Sequence, residues 1–122
     1  MQHHGAAAYQ QTAKTIESPR EREAVLLMKS AASMQTLREN WPADIDKLKV
    51  VLTFNRKLWT VFATSVTRDD NPMPAALKQN IANLGLYILN ETREILLDPV
   101  APARLDALIN INRQLAMGLR TR

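Results

Sequence analysis

The amino-acid sequence predicts an all-α protein, a small antiparallel bundle of about four helices preceded by a short N-terminal arm. Apolar residues recur every three or four positions along four segments, which is the period of one face of an α-helix. Only three glycines occur among the 122 residues, and 46% of the residues are hydrophobic. The connections between the segments are short, so consecutive helices should pack antiparallel. The length fits a single domain over residues 1–122.

The first helix has a clear start signal. Residues 1–17 are mostly small and polar, and they are predicted to form the N-terminal arm. The motif Ser-Pro-Arg-Glu follows at 18–21, where serine can cap, proline suits the first helical position and glutamate completes a capping box. The helix should span Pro19–Glu39 and end before Trp41-Pro42, because proline disfavours helix in the residue before it.

The second helix is predicted over residues 43–67. Its apolar positions alternate spacings of three and four, which is a seam of heptad type with Asn55 in its middle. The stretch Asp-Asp-Asn-Pro-Met-Pro at 69–74 is rich in caps and helix breakers, so it predicts a turn. The seam consists of Ile45, Leu48, Leu52, Asn55, Trp59, Phe62 and Val66.

The third and fourth helices are predicted over residues 75–97 and 102–119, separated by Asp98-Pro99. Gly85 lies in the middle of the third helix, where glycine costs about 1 kcal/mol relative to alanine. We therefore expect Gly85 to mark close contact with another helix. The fourth helix carries Asn112 within its own apolar stripe.

A polar motif occurs twice on these apolar faces, as Asn-Arg-Lys-Leu at 55–58 and Asn-Arg-Gln-Leu at 112–115. One interpretation is structural, because buried asparagines can fix helix register, and Asn55 and Asn112 would then face each other across the bundle. The other interpretation is that Arg56 and Arg113 present forked donors to a partner's carboxylates or helix C-terminus.

Aromatic residues close to this motif allow two similar alternatives. Trp59 and Phe62 belong either to the core or to the wall of a groove that receives a partner helix. Tyr87 is expected to line the same groove with its hydroxyl at the rim. The candidate partner-binding residues are Asn55, Arg56, Leu58, Trp59, Phe62, Leu84, Tyr87, Asn112 and Arg113.

The composition argues against catalysis and metal binding. The absence of cysteine excludes disulfides, thiol catalysis and cysteine-based zinc sites. The two histidines, His3 and His4, lie in the predicted arm, and no nucleophile–base motif or phosphate-binding loop occurs. We therefore expect no enzymatic activity, no cofactor and no metal.

Charge and hydropathy bear on partners and location. The net charge of +4 is mild and spread along the chain, which permits an acidic partner or RNA but is not a dense basic cluster. No apolar run approaches the length of a membrane span, and no secretory signal begins the chain. These features predict a cytoplasmic protein without membrane insertion.

Five motifs in order resemble those of the FlaF family of flagellar proteins. The central one is Phe-Asn-Arg-Lys-Leu-Trp-Thr at 54–60, which resembles the family's N-R-x-L-W motif. Tyr87 stands where tryptophan is common in the family, and the resemblance covers residues 9–120. The other four are Tyr9 followed by the start signal at 18–21, Asn-Pro-Met-Pro at 71–74 with Leu77, Leu-Gly-Leu-Tyr at 84–87, and 108–115 with Gly118-Leu119.

The resemblance implies a cytosolic, non-catalytic factor in flagellum assembly. Family members are linked to flagellin, which they are thought to bind as secretion chaperones while supporting its synthesis. Two alternatives are an RNA-linked regulator of flagellin expression, favoured by the sequence pI near 9.8, and a scaffold that binds the related regulator FlbT or the flagellar export apparatus.

Overall fold

The computed structural model describes residues 18–99 and 101–120, and the predicted arm at 1–17 lies outside the described residues. No strand occurs in this part of the chain, so the predicted all-α class is confirmed. The four α-helices of these residues are α1 (Pro19–Glu39), α2 (Ile45–Val66), α3 (Ala75–Leu97) and α4 (Leu105–Arg120), and a 3₁₀ turn at Pro102–Arg104 precedes α4.

Side-chain caps fix the starts of the first two helices. The Ser18 hydroxyl accepts a hydrogen bond from the Glu21 backbone N–H at 3.1 Å, as the start signal predicts. The Asp44 carboxylate accepts one from the Asp46 backbone N–H at 2.8 Å. An N-cap residue lies outside its helix, so α2 begins at Ile45 rather than at residue 43.

The helices alternate in direction around the bundle. Arg38 near the end of α1 donates to Asp106 in the first turn of α4 at 3.2 Å, and Arg120 at the end of α4 donates to Glu21 at 3.2 Å. These pairs show that α1 and α4 are antiparallel. The closest packing joins α1 to α4 and α2 to α3, whereas α3 and α4 make few backbone contacts.

The core lies between the four helices and is mostly aliphatic. Its largest buried side chain is Trp59, which meets Phe62 edge-to-face with ring centroids 5.8 Å apart. A Cβ added at Gly85 would lie 3.4 Å from the Ala63 Cβ and 3.9 Å from Trp59. The predicted close helix contact at Gly85 is thus confirmed. Within the described residues, no helix has the length and apolarity needed to cross a bilayer.

Candidate partner-binding site

The two asparagines of the repeated motif meet inside the bundle. Asn112 Nδ2 donates to Asn55 Oδ1 at 2.7 Å and to the Leu27 carbonyl at 3.3 Å. Trp59 Nε1 donates to Asn112 Oδ1 at 2.9 Å, and the Ser30 hydroxyl donates to Asn55 Oδ1 at 2.8 Å. This buried network joins α1, α2 and α4, which is the structural arrangement that the sequence offered as one alternative.

The network is incomplete at the interface between α2 and α3. Asn55 Nδ2 and Thr92 Oγ1 are both buried without a hydrogen-bond partner among the described residues. They lie at the same level of the bundle, because α2 and α3 are antiparallel and Gly85 lies opposite Ala63. The third helix therefore contributes packing at this level, but no hydrogen bond to the network.

Five of the nine candidate residues lie in the core. Trp59, Asn55 and Asn112 are fully covered by their own chain, and Leu58 and Phe62 are buried as well. In this conformation their side chains stabilise the bundle and do not form part of its surface. The surface candidates are therefore Arg56, Leu84, Tyr87 and Arg113.

Arg56 and Arg113 project to opposite sides of the bundle. The helices α2 and α4 run in the same direction, and Asn55 and Asn112 face each other across the core. The next residue on each helix is rotated by about 100° in the same sense, which turns the two arginines away from each other. Both are exposed, and neither forms an ion pair among the described residues. One partner helix in one groove does not reach both.

An apolar groove lies between α3 and α4, where the two helices are not tightly packed. We call it the α3–α4 groove, and its volume is about 330 Å³. The ion pair between Glu91 and Arg104, at 3.1 Å, closes the seam beyond one end of the groove. The groove is lined by Leu77, Asn80, Leu84, Ile111, Gln114, Leu115, Gly118 and Leu119.

The α3–α4 groove differs from the groove considered in the sequence analysis, whose wall included Trp59 and Phe62 of α2. Of the residues predicted for that groove, Leu84 lines the α3–α4 groove, and Tyr87 lies one turn further along α3 with 44% of its surface exposed. The α4 wall was missed, although Ile111, Leu115 and Gly118 recur at helical spacing beside the buried stripe of α4. Ile111 and Leu115 are half-buried and Gly118 is exposed, and this second row of residues widens the apolar face of α4 toward α3.

Two properties of the groove matter for ligand binding. Its polar side chains are the amides of Asn80 and Gln114, which can donate and accept hydrogen bonds at the rim. A Cβ added at Gly118 would meet no atom of the described residues within 4 Å. The α4 wall therefore has room for a larger side chain, which makes Gly118 a position for blocking the groove experimentally.

One acidic side chain near the groove has a shifted pKa. Burial raises the pKa of Glu23, which lies on α1 near the end of the groove, and the positive charges of Arg20 and Arg22 oppose that rise. In the described part of the chain, histidine and acidic side chains form no cluster of three that would suit a metal ion.

Comparison with protein families identifies the chain. The family model of the flagellar protein FlaF matches residues 5–119. The chain belongs to the FlaF family. The resemblance seen in the sequence is thereby confirmed, and this FlaF-family chain is a flagellar protein. Neither a curated protein nor a solved structure shows a significant match. The matched span includes the buried asparagine network and the α3–α4 groove, so both features lie within the FlaF region.

Proposed function

We propose that this FlaF-family chain binds flagellin in the cytoplasm as a secretion chaperone and so supports flagellin synthesis. Family membership supports a flagellar role, and the observation that carries the proposal is the open α3–α4 groove. The groove is lined by apolar and amide side chains, which suit binding of another protein. The proposed role therefore requires neither catalysis nor a cofactor.

The shape of the groove suits one face of an amphipathic helix. Its long walls are the antiparallel helices α3 and α4, and Ile111 and Leu119 lie about 12 Å apart along α4 at 1.5 Å per residue. That length accommodates about two turns of a partner helix, which would insert side chains at helical spacing between Leu84 and Leu115. A flagellin segment bound in this way would be shielded from polymerisation until export.

Affinity for flagellin should depend on the groove side of α3 and not on its outer side. We expect Leu84→Glu to weaken binding of purified monomeric flagellin by at least about tenfold, because a charge would replace an apolar contact. Leu86→Glu is the matched control, since Leu86 lies on the same helix with 70% of its surface exposed. Isothermal titration calorimetry measures both affinities, and circular dichroism checks that both variants fold. Equal affinities would contradict the groove assignment.

A second groove variant acts from the opposite wall. Gly118→Leu places a side chain into space that the described residues leave open, so it should block the groove without disturbing the core. We expect the same loss of flagellin binding as for Leu84→Glu. Retained affinity in Gly118→Leu would contradict docking between α3 and α4.

A salt titration separates this proposal from RNA-linked regulation. Binding through an apolar groove should change little between low and moderate salt, whereas RNA binding falls steeply as salt rises. The RNA-linked alternative would be favoured if the chain bound flagellin mRNA tightly and in a salt-sensitive way but did not bind flagellin.

A further inference from the structure

We propose that the outer face of α2 is a second binding surface, which accepts an acidic amphipathic helix of another protein. The α2 outer face consists of Lys47, Val50, Phe54, Lys57 and Val61. It is separate from the α3–α4 groove and does not depend on flagellin binding.

The spacing of these residues is that of a coiled-coil seam. The five positions alternate separations of three and four residues, so α2 carries a second heptad seam in addition to its buried one. Three of the five are apolar and exposed to water: Val50 at 69%, Val61 at 63% and Phe54 at 38% of their surface. Single exposed apolar residues are common, but an apolar row at heptad spacing is typical of a helix-binding face.

Depressions on both sides of the seam can receive side chains. One of about 450 Å³ lies toward α1 and is lined by Leu37, Lys47 and Val50 among others. Another of about 360 Å³ is lined by Val50, Phe54 and Lys57 among others. Val50 borders both depressions. Projecting side chains of a helix fit such holes, whereas a flat bilayer surface does not, and this favours a helical partner.

The charge on and beside the seam specifies an acidic partner. Lys47 and Lys57 belong to the seam, and Lys49 lines the second depression. All three are exposed, and none of them forms an ion pair or a side-chain hydrogen bond among the described residues. Asp46, which lines the first depression, is the one acidic side chain among the lining residues of the two depressions, so the positive charges outnumber the negative ones. Carboxylates that flank a partner's apolar stripe would pair with these cations and set its register. A second copy of the chain would instead bring two sets of these three lysines together, which disfavours pairing of two α2 outer faces.

The position of the seam allows two partners to bind at once. Around the bundle, the α1–α2 side lies opposite the α3–α4 side, because consecutive helices are neighbours and α4 closes the ring against α1. The depression beside Val50 opens on the α1–α2 side. A helix on the α2 outer face therefore leaves the α3–α4 groove free.

Two designed helical peptides test the proposed surface. Each has about 21 residues, or three heptads, with leucine at positions a and d; one has glutamate and the other lysine at e and g. Titration into the isotope-labelled full chain is followed by amide chemical shifts, and fluorescence anisotropy gives the affinities. We expect the glutamate peptide to shift amides along residues 47–64 and to bind at least about tenfold more tightly than the lysine peptide.

Matched variants identify the contacts. Lys57→Glu should weaken binding of the glutamate peptide at least about tenfold and strengthen binding of the lysine peptide. Arg113→Glu makes the same charge change on α4 and should leave both affinities unchanged. Phe54→Ser should remove binding, whereas Met117→Ser, also an exposed apolar position, should not. All four side chains are exposed, so the fold should be retained in each variant.

Other results would overturn the proposal. They are equal affinity for the two peptides, no amide shifts with either, or shifts confined to the α3–α4 groove. Binding to phosphatidylserine vesicles without peptide binding would show a membrane surface instead, and self-association that Phe54→Ser abolishes would show a second copy as the occupant. Loss of flagellin binding in Phe54→Ser would contradict two separate surfaces. If the unaltered chain does not bind flagellin, the proposed function fails, but the peptide titrations still test the α2 outer face.

Discussion

Asn112 is the side chain through which three helices are hydrogen-bonded. Its amide donates to Asn55 and to the Leu27 carbonyl, and its oxygen accepts the indole N–H of Trp59. A buried polar group without a partner costs about 1–3 kcal/mol, so removal of Asn112 would affect every group bonded to it. The geometry explains why an amide occupies the middle of an otherwise apolar stripe.

Asn112→Ala should therefore destabilise the protein strongly. We expect a loss of about 2–4 kcal/mol in the free energy of unfolding, from a cavity and from the unpaired Trp59 indole. Asn110→Ala is the matched control, because Asn110 is exposed on the same helix and should change stability by less than about 0.5 kcal/mol. Urea unfolding measures both, and similar losses in the two variants would contradict a structural role for the network.

The residues of this network were only partly predictable from the sequence. Asn55 and Asn112 were found because each interrupts an apolar stripe within the same Asn-Arg motif. Ser30 was missed, because serine in a helix most often faces solvent or bonds to its own backbone. The bond from Trp59 to Asn112 joins α2 to α4, and helical periodicity alone does not reveal which non-consecutive helices meet.

At the scale of single elements, local chemistry set most helix boundaries. Pro19–Glu39 was predicted correctly because its start signal and its terminating proline act on neighbouring residues. The fourth helix was predicted from residue 102, but Pro102–Arg104 forms a 3₁₀ turn and α4 begins at Leu105. Proline suits the first turn of either kind of helix, so the sequence did not distinguish the two.

The two glycines in the described helices should respond differently to replacement by alanine. Gly118→Ala should stabilise the protein by about 0.5–1 kcal/mol, since alanine favours helix and its Cβ meets no described atom. Gly85→Ala should gain less than Gly118→Ala, because its Cβ would lie 3.4 Å from the Ala63 Cβ, at the short end of ordinary van der Waals contact, which leaves little room between the two helices. Thermal and urea unfolding compare the variants. A larger gain at Gly85 would contradict tight packing of α3 on α2.

At the scale of the whole molecule, the packing of neighbouring helices decides which apolar stripes are buried and which stay open to solvent. One interpretation of the sequence grouped Trp59 and Phe62 with Leu84 and Tyr87 in one groove, and the other placed Trp59 and Phe62 in the core. The first two are sealed by the core, whereas Leu84 borders the open seam between α3 and α4. An apolar stripe in the sequence shows that one face of a helix is apolar. Whether that face is buried depends on the distance to the neighbouring helix, and the local sequence does not encode that distance.

The ion pair between Arg38 and Asp106 connects positions 68 residues apart and holds the end of α1 against the start of α4. The Arg38 guanidinium holds the pKa of the Asp106 carboxyl below its ordinary value, through hydrogen bonding and charge attraction. The folded state therefore releases this proton more readily than the unfolded state does. The resulting stabilisation is present above the ordinary pKa of aspartate and is lost as the pH falls through the lowered value.

Asp106→Asn should accordingly lower the melting temperature at neutral pH. The difference in melting temperature from the parent protein should become smaller as the pH is lowered. We expect the difference from the parent protein to decline once the pH falls below the ordinary pKa of aspartate, about 4, and to disappear below the lowered pKa of Asp106, where the carboxyl is protonated in both states. Asp70→Asn is the control, because among the described residues Asp70 pairs only with Arg68 in the same turn, and this pair closes no long loop. Differential scanning calorimetry across this range measures the effect. A difference for Asp106→Asn that stays constant from neutral pH to pH 2 would show that packing, and not charge, joins α1 to α4 at this end.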